Sequence, residues 1–206
     1  MPTASPSRVE RLARLLTGLF CYGIGISLMV RAGIGVAPWD VLTQGISLQS
    51  GLSFGLVTNL IGIGVLVLWL PLRQTPGLGT LLNVLLIGPS AQLGLWLLPD
   101  IHGLALQVCV FAVGLVLLAL ATGLYIGAQF GAGPRDGLMT GLHARTGVPI
   151  WIARTLVEAL VLTTGWWLGG NVGWGTLAFA LLIGPLCGRT LPLFAPRDVA
   201  PPAAPL

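Results

Sequence analysis

The sequence predicts an all-α, multi-pass transmembrane helical bundle, and three observations carry that prediction. Charged residues make up 8% of the 206 residues and apolar residues 55%, whereas a soluble domain typically carries about 25% charged residues. With a mean hydropathy of +0.93, the chain has too little polar surface to cover a soluble globule but suits a bilayer as solvent. Six apolar stretches approach or reach the about 20 residues that a helix needs to cross a membrane, and the second half of the chain repeats the first at an offset of 96 residues.

The elements follow in order. Residues 1–14 are polar and form an expected cytoplasmic tail. Met1–Glu10 lacks the pattern of a signal peptide, because the apolar run after Arg14 continues to Val30 with no A-x-A cleavage site before a polar start. A single transmembrane domain is expected over 15–193, with spans near 15–30, 54–72, 79–98, 103–128, 150–168 and 175–193. Repeat 1 covers about 15–98 and repeat 2 about 103–193. Two further segments, Val36 to Ser50 and Pro134 to Thr146, carry Asp and polar groups and are short for a crossing. They read as half-helices or re-entrant segments, which the membrane interior tolerates only where they pack in protein or line a cavity. A Pro/Ala-rich cytoplasmic tail is expected over 194–206.

The repeat sets the plan. Gly35, Pro38, Asp40, Leu42, Gly45 and Gly51 match Gly131, Pro134, Asp136, Leu138, Gly141 and Gly147 without a gap. Gly77, Gly79, Thr80 and Leu81 match Gly173, Gly175, Thr176 and Leu177, and the run Leu85 to Pro89 recurs as Leu181 to Pro185. All ten basic residues are Arg. With six crossings, Arg8, Arg11, Arg14, Arg73, Arg135, Arg145, Arg154, Arg189 and Arg197 fall on or near one side, and only Arg31 on the other. The arginine-rich side is the cytoplasm by the positive-inside rule, which places both termini there. Three spans per repeat is an odd number, so the halves are expected to be inverted, as in many transporters and channels. The Asp40 segment would then enter from outside and the Asp136 segment from inside.

The run Gly33-Ile34-Gly35-Val36-Ala37-Pro38-Trp39-Asp40-Val41-Leu42, its copy Gly131-Ala132-Gly133-Pro134-Arg135-Asp136-Gly137-Leu138, and the block from Gly79 to Pro89 resemble the YczE/YitT-like family of bacterial integral membrane proteins. The likeness covers roughly residues 15–190. It implies a multi-pass protein of the bacterial plasma membrane and transfers no substrate or catalytic residue. The second copy departs from the first where Arg135 replaces Trp39.

Six charged residues are the candidate substrate- or ion-binding groups. In G-x-G-x-x-P-x-D the glycines permit a tight turn, Pro suits the first helical position, and Asp in the first turn caps free N–H groups. The other reading of Asp40 and Asp136 is functional, since half-helices that enter from opposite faces bring their N-termini toward the midplane, where carboxylates bind a cation or relay a proton. Arg154 and Glu158 share a helix face four residues apart and can pair. Glu158 also sits within an apolar span, where an ionisable group is costly and marks a functional site. Arg31 either snorkels to the outer interface or faces Asp40 or an anionic substrate at the outer mouth. Arg135 is the sixth.

Gly123, Gly127 and Gly131 recur every four residues as an expected helix-packing face. Trp39, Trp96, Trp151 and Trp174 suit an interfacial belt. Asn59, Asn83, Gln44, Gln92, Gln107, Gln129 and His143 could line a polar path or bond to neighbouring helices. Cys21, Cys109 and Cys187 sit in apolar runs without a second Cys or His at metal-ligand spacing, so free thiols and no metal are expected.

No phosphate loop, H-E-x-x-H, G-x-S-x-G or C-x-x-C occurs in the sequence, and no cofactor or enzyme chemistry is expected. The arginines are not clustered as a nucleic-acid footprint requires. The expected partners are the lipid bilayer, a small solute of unknown identity, and a homo-oligomer or another membrane protein. Two functions compete: a small-solute transporter or channel with a central site at the repeat interface, and a non-transporting membrane partner or regulatory subunit of a larger complex.

Overall fold

A computed structural model describes residues 7–195, which hold eight α-helices. These are α1 (Arg8–Ala32), α2 (Pro38–Ser50), α3 (Phe54–Leu72), α4 (Leu78–Leu97), α5 (Leu104–Gly127), α6 (Pro134–Thr146), α7 (Ile150–Trp167) and α8 (Trp174–Phe194). Residues 1–6 of the expected N-terminal tail and 196–206 of the expected C-terminal tail lie outside the described residues. Residues 8–14 belong to α1, because Ser7 Oγ accepts the Glu10 N–H at 3.2 Å and starts the helix before the apolar run begins.

Five helices, α1, α3, α4, α5 and α8, are long and apolar enough to cross a membrane. The 18-residue α7 is not among them. Arg154 and Glu158 lower its apolar character at the position expected for a sixth span. The short segments each form a helix of 13 residues, with proline in the first turn and an ending at Gly51 or Gly147, both at φ 71°.

α1 and α5 form the centre, and their backbones meet closely at Gly25 and Gly114. α4 packs on α1 and α8 on α5, while α2 packs on α7 and α6 on α3. Each contact maps onto its partner when the numbering advances by 96. Gly79 N–H donates to Phe130 O at 2.8 Å, and Gly175 N–H donates to Ile34 O at 2.8 Å. Gly35 and Gly131 have φ of 112° and 119°, which requires glycine, and each lies against the start of the other half's fourth helix. The α1–α4 and α5–α8 interfaces use the same small-against-polar fit with the roles exchanged. Gly94 makes room for Ser27 in the first pair, and Gly123 makes room for Thr190 in the second.

One contact does not recur. α3 and α4 pack tightly, whereas α7 and α8 barely touch. Gly55 lies on the Gly88 backbone, Asn59 fills the space a β-carbon on Gly88 would need, and Gly62 rests on Val84. The equivalent positions in α7 are Trp151, Thr155 and Glu158. These larger side chains hold α7 away, so Gly184 has open space where Gly88 has a neighbour, and Ala180 is exposed where Val84 is buried.

The expected glycine face divides in two. Gly123 and Gly127 pack against the last turn of α8 at Thr190 and Phe194, as close helix approach requires. Gly131 lies beyond the end of α5 in the turn that meets Gly77, so it belongs to the chain reversal rather than to the helix face. Trp96, Trp151 and Trp174 are exposed near helix ends, whereas Trp39 is buried and does not belong to an interfacial belt.

Candidate functional site

The first turns of α2 and α6 come together inside the bundle. Pro38 and Pro134 start the helices, and neither helix receives a side-chain cap. Asp40 and Asp136 keep their places in the first turns, but neither accepts a backbone N–H, so the expected capping hydrogen bonds are not made among the described residues. Asp40 is 1% exposed and its Oδ1 has no hydrogen-bond partner among the described residues. The nearest cation is Arg135, with Nη2 at 3.9 Å from that oxygen. The Arg135 guanidinium also lies over the Trp39 ring, 5.0 Å from its centroid, a favourable cation–π geometry. The replacement of Trp by Arg in the second motif thus falls where the two motifs touch: Trp39 and Arg135 occupy matching positions and face each other.

Asp136 differs from Asp40 in being exposed, and it opens onto a cavity of about 250 Å³. Its Oδ2 accepts the Tyr125 hydroxyl at 3.2 Å, and Tyr125 meets Tyr22 edge to face with ring centroids 6.1 Å apart. Trp69 of α3 braces the second motif, donating its Nε1–H to Pro134 O at 2.9 Å. Pro38, Trp39, Pro134 and Arg135 border the cavity, so the N-terminal ends of both short helices open onto one space.

α7 completes the polar side of the cavity. Arg154 Nε donates to Glu158 Oε1 at 2.9 Å, and both residues line the cavity. The pairing expected from their spacing is present, beside the central site. α8 supplies an apolar wall of Phe179, Ile183, Cys187 and Leu191. The cavity thus has a charged side and an apolar side.

Arg31 stands apart from this site. It pairs with Asp100 and with the Leu95 carbonyl at the end of α4, and it does not line the cavity. The partner considered for Arg31, Asp40, faces Arg135 instead. Of the expected polar path only Asn83 reaches the cavity. Gln44 accepts from Asn171 N–H at 3.0 Å, Gln92 accepts from Gly55 N–H at 3.0 Å, Asn59 donates to Leu85 O at 3.4 Å and Gln107 donates to Ile101 O at 3.3 Å. Gln129 turns the chain at φ 58°. His143 makes the expected local bond, Nδ1 to Val148 O at 2.9 Å. The three cysteines are free. Among the described residues no cluster of potential metal ligands occurs.

Tyr22, Tyr125 and Trp69 are site residues that sequence reasoning missed. One signal was available, since the chain has only two tyrosines and both fall in apolar spans, where a hydroxyl needs a partner.

A family model described as a family of unknown function, DUF6198, matches residues 9–191. A Haemophilus influenzae protein named "Uncharacterized protein" is 38% identical over 86% of this chain and 82% of its own length. The Bacillus subtilis "Uncharacterized membrane protein YczE" is 33% identical over 89% of this chain and 86% of its own, and the B. subtilis "Uncharacterized protein YyaS" is 31% identical over 85% and 90%. No solved structure matches the chain. The chain belongs to the DUF6198 family, is YczE-like, and is a helical integral membrane protein.

Proposed function

We propose that this family member carries a small solute across the bacterial plasma membrane, as a transporter or channel whose site is the central cavity. The observation that supports this reading best is that the N-terminal ends of α2 and α6 border one charged cavity, where each motif supplies a residue the other lacks. Broken helices that meet at the midplane build substrate sites in transporters made of inverted repeats. On this reading six helices cross, counting α7, and its ion pair is tolerated because it lines a cavity instead of facing lipid alone. Both termini are cytoplasmic, α2 enters from outside and α6 from inside. Asp136 contacts the solute, while Arg135 and Asp40 form the coupled pair beneath it.

The test is osmotic. Proteoliposomes holding the full chain are challenged with glycine, glycerol, urea or phosphocholine, and light scattering follows their recovery. Faster recovery than empty liposomes is expected for at least one solute, and it should disappear in Asp136→Asn at equal amounts of folded protein. Traces identical with and without protein for every solute would contradict the proposal.

A further inference from the structure

The repeated framework leaves the seam between α7 and α8 open where the matching seam between α3 and α4 is closed. Trp151 replaces the glycine that lets α3 approach α4, so the gap is written into the sequence. Behind it lies the cavity of about 250 Å³, with Arg154, Glu158 and Asp136 on one side and Phe179, Ile183 and Leu191 of α8 on the other. Arg154 and Glu158 lie four and eight residues into α7, about 6 and 12 Å along it at 1.5 Å per residue. Charges at that depth do not tolerate hydrocarbon and require a polar companion. Arg154 is the more accessible of the pair, with 53% of its side chain exposed against 26% for Glu158. Its guanidinium has five N–H donors, and Glu158 engages one of them. Asp136 is exposed and has a single neutral partner, the Tyr125 hydroxyl, next to the ring of Tyr22. An accessible cation and an accessible carboxylate beside aromatic rings, both next to an apolar wall, complement a molecule that carries a phosphate, an ammonium group and a chain.

We propose that the α7–α8 seam is a lateral portal that admits a zwitterionic amphiphile from the bilayer, its phosphate meeting Arg154, its ammonium group meeting Asp136, and its chain lying along α8. The proposal rests on the reading of the cavity as a ligand site, and it adds the route of entry and the class of ligand. The cavity holds a head group and excludes a protein helix, whose diameter is about 10–12 Å.

Cys187 lines the same cavity, which gives the test a reporter within the chain. In Cys21→Ala/Cys109→Ala protein held in maltoside micelles, the rate of Cys187 alkylation by N-ethylmaleimide is measured with lysophosphatidylcholine, with lysophosphatidic acid and with glycerophosphocholine. At about ten times its Kd, lysophosphatidylcholine should slow labelling about tenfold, because only the free fraction reacts. The chain-free head group and the ammonium-free lipid should protect far less at the same concentration. Arg154→Gln should remove the protection. Gly184→Trp should also remove it while leaving basal labelling intact, since a side chain there projects into open space. Equal protection by glycerophosphocholine that survives Gly184→Trp would overturn the portal and leave a cavity filled from water. No protection by any of the three would overturn the amphiphile site, whereas the osmotic assay decides on small-solute transport independently. Cys187 shielded without added ligand in a protein that elutes as a dimer would overturn the proposal in favour of a second copy covering the seam.

Discussion

The α3–α4 pair and the α7–α8 pair are built from matching stretches of sequence, yet the first is closed and the second is open. The difference teaches which contacts hold two helices of this framework together. Both pairs keep the Leu-Leu-Ile-Gly-Pro run on the fourth helix of the half. Among the residues that change are the facing ones, from Gly55, Asn59 and Gly62 to Trp151, Thr155 and Glu158. Close approach in a membrane depends on small residues because lipid chains are as apolar as leucine and offer no hydrophobic drive toward helix contact. Where the small residues are lost, the contact is lost, and a charged pair takes the space. The two short motifs repeat the lesson on a smaller scale, since Asp40 is buried against Arg135 while Asp136 is open to the cavity.

Matched substitutions at Gly88 and Gly184 should break the comparison most sharply. Leucine at Gly88 collides with Asn59 and the Gly55 backbone, and its cost should reach or exceed the about 1–3 kcal/mol typical of overpacking. Leucine at Gly184 meets open space and should stay within about 0.5 kcal/mol of the parent, as exposed substitutions do. Thermal unfolding in detergent measures both. Equal losses would mean that the seam is closed and Gly184 has a neighbour.

The contact between positions 39 and 135 permits an exchange. Trp39→Arg alone sets two guanidinium groups together, and Arg135→Trp alone leaves Asp40 without its cation. The double exchange restores one of each, so it should recover about 1–3 kcal/mol over the sum of the single changes, the range typical of contacting pairs. Additive losses would show that the two motifs do not meet.

A smaller effect separates the exchanged interfaces. Thr190 Oγ1 donates to Ala119 O at 2.7 Å between α8 and α5, and Gly94, its counterpart in α4, makes no such bond. Thr190→Val should cost about 1 kcal/mol, the usual net worth of one hydrogen bond, measured by the same unfolding experiment. A loss below the noise would place the α5–α8 contact in van der Waals packing alone.

The framework was legible in the sequence because hydropathy and glycine spacing are local properties. The apolar runs matched the long helices, the segment from Pro134 to Thr146 coincides with α6, and the segment from Val36 to Ser50 begins two residues before α2. The 96-residue correspondence anticipated which residues share a structural role, including Gly35 with Gly131. The contacts across the centre were not legible. That Arg135 reaches Trp39 and Asp40, or that Arg31 turns to Asp100, depends on how two halves dock, and no spacing within either half encodes that distance. The motif also looked like a capped turn, because Pro followed by Asp is a normal helix start. The burial of Asp40 and its cationic neighbour emerge only when the second repeat is in place. The open seam was hidden for the same reason, since a Trp near a span end reads as an interfacial anchor until its facing glycine is seen to be empty.

The central claim is that α2 and α6 enter the membrane from opposite sides and meet at one cavity. In a cysteine-free background, Ser50→Cys and Thr146→Cys place single thiols at the ends of the two short helices, next to their closing turns. Intact cells are treated with a membrane-impermeant maleimide and compared with permeabilised cells. The inverted plan expects position 50 to react in intact cells and position 146 to react only after permeabilisation. Reaction of both positions from the same side would contradict the inverted arrangement, and with it the account of a central site shared by two opposed half-helices.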